Sequence, residues 1–353
     1  MVRRRSYRDV FAHRAARGAH RVLSALERSL TKVLEPLAAD PAAGNPVGGL
    51  QRGVHVPAFE PGRPVYLHGY GDDRPRVPWP AFPPRGYLGQ LHPEFQRRLA
   101  AERAHIDLED CDFYHFAQLP SGDLIPGAWD LRGGEQAYLG GIRLEDRRVL
   151  ELGPASGYLT FHMESRGAEV VCFDVGWDRS IDLLPRPGFE EGWARMDAMV
   201  FIGAVQNAWW YLHRAFGSAA RVAYGNIYEL PADLGRYDVA LFGAILLHLR
   251  DPFAALAEAA RHVSEEIVVT DLVQDPDLDQ TENLMRFAPQ SAEFPTNWWS
   301  MTPAAVVRML ERVGFGRAEV SFHTQRHHLG HDLSKPPTEM EMFTVVAART
   351  EEG

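Results

Sequence analysis

The stretch "VLELGPASGYLTFHMESRGAEVVCFDV", residues 149–175, decides the fold. It leaves one apolar, strand-like run through a glycine-containing turn and ends a second apolar run on an acid, Asp174. Strand, turn, helix and strand in that order build one unit of a parallel sheet. The turn holds a ligand if the sheet is doubly wound, because ligands there sit beyond the carboxyl ends of the strands. A dinucleotide fingerprint would need G-x-G-x-x-G, but counting from Gly153 the second and third glycine positions hold Ala155 and Tyr158. What stands instead is E-x-G-x-x-x-G, with Glu151, Gly153 and Gly157, and Asp174 follows about twenty residues on, where an acid accepts both hydroxyls of a ribose. The pattern fits a nucleoside that carries no diphosphate.

Outward from this unit, further strand candidates lie at 221–224, 239–242 and 267–271, with helical stretches between them. The end of the chain departs from that alternation. "RAEVSFHT" (317–324) and "EMFTVVAART" (341–350) are two strands without a helix between them, so the last enters antiparallel or lies at an edge. Their connection, "QRHHLGHDLSKPPTEM", reads as a long polar loop. The expected fold class is α/β: a doubly wound, mostly parallel, seven-stranded sheet of Rossmann-like type with its last strand antiparallel.

Ahead of the sheet the pattern is irregular. Residues 1–38 place Val22, Leu23, Leu26, Leu30, Val33 and Leu34 at helical spacing among arginines. Pro41 to Pro84 is rich in Pro and Gly, 91–106 reads as a helix, and 112–134 as a small hairpin turning at 120–122. The expected division is an accessory segment over 1–130 that closes the substrate side, and a main domain over 131–353.

Composition removes several classes. The 353 residues carry a net charge of −10, which gives no overall attraction to polyphosphate, although the first thirty residues are locally basic. Nucleic acid is disfavoured as a partner. No apolar run is long enough to cross a membrane, the N-terminus lacks the apolar centre of a secretory signal, and only two cysteines occur, so a cytoplasmic protein is expected.

With these residues in place, the chain resembles the class I S-adenosylmethionine-dependent methyltransferases, whose first motif reads (D/E)-x-G-x-G-x-G and whose second strand ends in an acid. The resemblance covers 148 to about 348. It implies S-adenosyl-L-methionine as cofactor. The turn Gly153, Ala155, Ser156 and Gly157 would approach the methionine part, Glu151 would orient it, and Asp174 with Val175 would hold the ribose. "GNIYELP" (225–231) is similar to the family's adenine loop, with Asn226 where an acid is usual and Ile227 beside it; the amide oxygen still accepts a hydrogen bond. "YDVALFGAILLHLRDP" (237–252) resembles the fourth-strand motif, with Gly243 beneath the cofactor. The segments "YHFAQLPSGDLIPGAWDLR", "LLHLRDP" and "TNWWSMTPAAVVRMLERVGF" are similar to methyltransferases related to the bacterial tRNA wobble-uridine 5-oxyacetate enzymes, a group with many small-molecule members. Leu247 replaces the tyrosine associated with the carboxymethyl-transferring branch, and no lysine occurs between Lys32 and Lys335, which favours ordinary methyl transfer.

Methyl transfer from a sulfonium needs alignment and exclusion of water, and a base only for a hydroxyl or protonated amine. His248 and Asp271, at the ends of the fourth and fifth strands, are the candidates. His248 has a second reading, capping or packing the following helix, which starts at Asp251-Pro252. Trp298 and Trp299 read either as a wall of the substrate cleft or as core, and Trp129 and Arg132 as a lid. Trp209 and Trp210 read as buried contacts between helix and sheet. His323, His327, His328 and His331 lack the ligand set of a zinc site and read as a solvated loop; no metal is expected. No G-x-S-x-G elbow or Walker loop appears. The sequence reading is a methyltransferase acting at oxygen or nitrogen of a small molecule. Its alternatives are a tRNA wobble-uridine modifier and a protein that binds the cofactor without transferring its methyl.

Overall fold

The computed structural model describes residues 89–176, 181–184, 191–287, 296–328 and 334–350. The amphipathic stretch over 1–38, the Pro- and Gly-rich run to Pro84, and His331 lie outside the described residues.

The described chain opens with helix α1 (Pro93–Glu102), followed by short strands β1 (Ala117–Gln118), β2 (Leu124–Ile125) and β3 (Trp129–Asp130) and by α2 (Glu135–Tyr138). The alternating part is β4 (Arg148–Leu152), α3 (Tyr158–Ser165), β5 (Glu169–Val175), α4 (Glu191–Phe216), β6 (Arg221–Gly225), β7 (Tyr237–Gly243), α5 (Pro252–Ala260) and β8 (Val263–Leu272). A small ribbon of β9 (Met285–Phe287) and β10 (Trp299–Met301) leads to α6 (Pro303–Arg312), and the hairpin β11 (Arg317–His327) with β12 (Thr338–Ala348) ends the sheet.

Local chemistry explains the helix starts. α1, α5 and α6 each begin with proline directly after a capping side chain: His92, Asp251 and Thr302 accept backbone N–H groups of Glu94, Ala254 and Ala305. Proline there loses no helical hydrogen bond, since the first N–H groups of a helix have no intrahelical partner.

The main sheet runs β3-β11-β12-β8-β7-β4-β5-β6. Strands β8, β7, β4, β5 and β6 are parallel, and β12 lies antiparallel between β8 and β11. From β4 the chain steps outward through β5 and β6, then returns across β4 to β7 and β8. The direction of winding therefore reverses between β4 and β7, which opens the crevice at their carboxyl ends. Both faces of the sheet are covered. Val149, Cys172 and Leu241 pack toward Leu159, Trp209 and Leu212 on one side, while Leu150, Phe173 and Phe242 face Leu256, Leu310 and Phe343 on the other. Alternate residues of one strand serve opposite cores, which is why these strands read as continuous apolar runs.

Two sequence expectations need correction. The sheet has eight strands, because Trp129–Asp130 pairs antiparallel with His327 and Arg326 of β11. The long loop expected between the last two strands is shorter, since β11 continues to His327 and β12 starts at Thr338. These polar residues are held in strand by partners distant in sequence: the Gln325 amide donates to Gly134 O at 3.2 Å and Arg326 to Arg132 O at 2.9 Å. His323 and His327 accordingly sit on a strand, with His323 Nε2 2.9 Å from Thr344 Oγ1 and the His327 ring 4.7 Å from that of Trp129. A solvated loop is the wrong description for both.

The opposite edge is closed by side chains. Gln96 donates to Val222 O at 2.7 Å and accepts from Val222 N at 3.1 Å, and Gln90 does the same for Tyr224 at 2.9 and 2.8 Å. Two carboxamides thus bond the edge of β6 as a neighbouring strand would, blunting a surface that could otherwise pair with another chain.

Candidate active site

The turn after β4 is left-handed at three positions, Gly153 (φ 71°), Ala155 (φ 48°) and Gly157 (φ 86°). A Cβ on Gly153 would lie 2.4 Å from Ile245 Cδ1, and one on Gly157 2.6 Å from both Phe161 Cε2 and Trp209 Cδ1. Backbone conformation requires glycine at both positions, and at Gly157 the rigid rings of Phe161 and Trp209 leave no space for a side chain either. Ala155 takes the same backbone region with the smallest side chain that has a Cβ. The buried Ser156 hydroxyl accepts the His115 N–H at 3.0 Å, which fastens the segment before β1 against the turn. Burial drives the His115 pKa down to about 3, so its ring is neutral.

At the tip of β5, Asp174 Oδ1 accepts the Val175 N–H at 2.8 Å and Oδ2 accepts the Gln206 amide at 2.8 Å. A carboxylate oxygen can accept two hydrogen bonds and each of these accepts one, so each retains a lone pair for a further donor. Glu151 is buried one strand away. Its Oε2 accepts from Thr160 Oγ1 at 2.5 Å and from Cys172 Sγ at 3.5 Å, and Trp209 Nε1 donates onward to Thr160 at 3.3 Å. Burial pushes the Glu151 pKa up to about 7, with the neighbouring Asp174 acting in the same direction. In the loop after β6, Asn226 Oδ1 accepts the Tyr228 N–H at 3.1 Å, and Ile227 packs against the core beside it. Gly243 ends β7; a Cβ there would meet the Tyr138 hydroxyl at 3.1 Å. Acid, amide and glycines from four strand ends thus converge on the crevice, and this donor set fits an adenosine that brings no phosphate charge.

Beyond β7 and β8 the groups change character. His248 ends a single helical turn, Leu246–His248, and its Nδ1 lies 3.1 Å from Thr296 O. A ring nitrogen facing a carbonyl must donate, which leaves Nε2 as the acceptor; burial lowers the pKa and keeps the ring neutral. The helix cap itself is Asp251. Asp271 is 2% exposed, its Oδ1 accepts the Leu272 N–H at 2.8 Å, and its Oδ2 has no partner. Burial raises its pKa to about 7. Trp298 and Trp299 fasten the 296–299 loop onto this end: their indoles donate to Asp182 O at 2.9 Å and Arg250 O at 3.2 Å, and both rings pack against Phe287. Trp129 is a sheet residue whose indole donates to the Tyr114 hydroxyl, and Arg132 is held by Asp130 at 2.7 and 2.9 Å with its guanidinium over Phe116. Trp209 and Trp210 are buried between α4 and the sheet.

Several residues at this edge had no signal in the sequence. Tyr138, which lies against Gly243, and Gln206, which bonds Asp174, reach it through approaches between residues far apart in the chain. Asp182, whose carboxylate accepts from the Tyr228 hydroxyl and from the Arg250 N–H, joins three loops at once.

A doubly wound sheet that reverses between β4 and β7, with its last strand antiparallel, is the class I methyltransferase architecture. The family described as methyltransferase domain matches residues 134–319, just over half of the chain, so the chain belongs to that family and is an S-adenosylmethionine-dependent methyltransferase. Similar solved structures include the 1,6-didemethyltoxoflavin-N1-methyltransferase of Burkholderia thailandensis, with 16% identity and a TM-score of 0.40 over 62% of this chain and 78% of that one. The N-terminal domain of EvdMO1 has 17% identity and a TM-score of 0.40 over 72% and 97%. Magnesium protoporphyrin IX methyltransferase of Synechocystis PCC 6803 has 12% identity and a TM-score of 0.37 over 62% and 78%. No curated protein matches the chain. Among the described residues no helix is long and apolar enough to cross a membrane, and no group of three or more His, Cys, Asp or Glu side chains is placed to hold a metal ion.

Proposed function

We propose that the chain methylates an oxygen or nitrogen of a small molecule, with residues 89–130 bordering the substrate side of the crevice. The observation that carries this reading is Asp271: a buried carboxyl at the carboxyl end of β8 with one oxygen lacking a partner and a pKa of about 7. Bound S-adenosylmethionine supplies an activated methyl on a sulfonium. The protein's part is to hold the ribose on Asp174, the methionine part along the turn Gly153–Gly157 near Glu151, and the adenine by Asn226 and Ile227. Asp271 Oδ2 then takes the proton that an acceptor hydroxyl or ammonium must lose, and His248 Nε2 is the second atom able to do so. Indole and phenyl faces at Trp298, Trp299 and Phe287 suit a compact, largely apolar acceptor, and a chain of net charge −10 is poorly suited to tRNA. We assign the reaction to the cytoplasm, in keeping with two cysteines, Cys111 and Cys172, that form no disulfide.

Transfer of labelled methyl from S-adenosylmethionine into a source-cell extract, separated into RNA and small-molecule fractions, tests the proposal. Label is expected among small molecules, falling on the order of 10²-fold or more with Asp271→Asn if that carboxyl is the base. Label in RNA overturns the small-molecule reading in favour of wobble-uridine modification. Label in neither fraction, with cofactor binding intact, leaves a protein that binds without transferring.

A further inference from the structure

We infer that Gln206 is a positioning residue of the cofactor site, clamping Asp174 in the orientation and charge state in which it receives the ribose. The inference rests on Asp174 being the ribose acceptor. Gln206 lies on α4, 2% exposed, and its Nε2 donates both to Asp174 Oδ2 at 2.8 Å and to Val175 O at 3.0 Å. Two acceptors on one amide nitrogen fix which way the amide faces, since turning it over would set its oxygen against a carboxylate and a carbonyl. Its other end, Oε1, is buried with no partner. A buried acceptor left unpaired costs stability, so the amide is a poor choice for packing alone. Its donor half serves the tip of β5, the point where the cofactor is gripped. Burial raises the Asp174 pKa, and the Gln206 and Val175 N–H groups oppose that rise by bonding the ionised form.

The titratable groups that bear on Asp174 are Glu151 on β4 and Tyr224 on β6. Glu151 titrates near neutrality whatever stands at 206, so the measurement is made in a Glu151→Gln background as well as in the native chain. S-adenosylhomocysteine binding by the full chain is measured by calorimetry across a pH series. Gln206→Met keeps the shape and removes the donor. Affinity near neutral pH should fall about tenfold, and the pH below which binding is lost should move upward, because Asp174 then ionises less readily. Gln206→Glu should behave differently: two carboxylates share one proton at low pH and repel once both ionise, so its affinity should fall as pH rises. Should the methionine variant not fold, the glutamate variant carries the test alone. Wild-type affinity in either variant, or a uniform loss with the pH profile unmoved, overturns the inference. Asp174→Ala separates the two layers. If it binds S-adenosylhomocysteine as tightly as wild type, the ribose assignment is wrong and the inference falls with it; if binding drops while the Gln206 variants match wild type, only the inference fails.

Discussion

At the scale of single residues, the most informative position is Ala155. It stands where the family motif has its central glycine and adopts φ 48°, a region that costs an L-residue roughly 1–2 kcal/mol. Part of that cost is offset because alanine has fewer unfolded conformations than glycine. Ala155→Gly should therefore raise the unfolding free energy slightly, by up to about 1 kcal/mol, without weakening S-adenosylhomocysteine binding. Urea denaturation decides it, and a clear loss of stability would mean that the alanine methyl makes packing contacts worth more than the strain. Residues whose placement follows from backbone geometry were legible in this way: Gly153, Gly157 and Asp174 sit at fixed intervals in a strand-turn-helix-strand unit. Gln206 was not, because its role comes from a side chain crossing to Asp174, 32 residues earlier, and no spacing rule encodes that approach.

At the scale of elements, the sheet is bordered in two different ways. β6 is closed by the carboxamides of Gln90 and Gln96, which fill the bonding positions of Val222 and Tyr224. Replacing either glutamine by alanine leaves backbone groups of an edge strand without protein partners and should destabilise the protein by about 1–3 kcal/mol. The double variant should also associate on warming, since an uncovered edge is a template for strand pairing. Denaturation midpoints and light scattering test the two effects, and a double variant as stable and as soluble as wild type would show that water serves the edge equally well. The parallel strands were legible as apolar runs because each is buried on both faces. β3 and the far end of β11 were not, since Trp129–Asp130 becomes strand only by pairing with Arg326–His327, nearly two hundred residues on, and those two polar residues are held between β3 and Thr338–Glu339 of β12.

For the whole molecule, several ionisable groups are buried by the fold, and stability should record that through pH. Glu151 and Asp271 both titrate at about 7 in the folded protein, well above ordinary carboxyl values. A raised carboxyl pKa means the folded state holds its proton longer than the unfolded chain. The associated stability is complete below the ordinary carboxyl range and is lost as pH rises to about 7. His115 acts in the opposite sense, since its folded pKa of about 3 makes protonation below its ordinary value unfavourable to the fold. A difference between variants isolates the carboxyls. In the cofactor-free protein, the stability of Glu151→Gln relative to wild type should improve as pH rises from about 5 to about 8, by a few kcal/mol at most. A relative stability constant over that range, from urea titrations, would place the Glu151 carboxyl in water. The sequence by itself determined the alternating core, the glycine turn after β4 and the acid at the tip of β5, because these depend on periodicity and on backbone conformation within one unit of the chain. Only the tertiary structure decided which carboxyls are buried, which amide bonds Asp174 and what closes the β6 edge, because desolvation and contacts between distant segments arise only when the chain has folded.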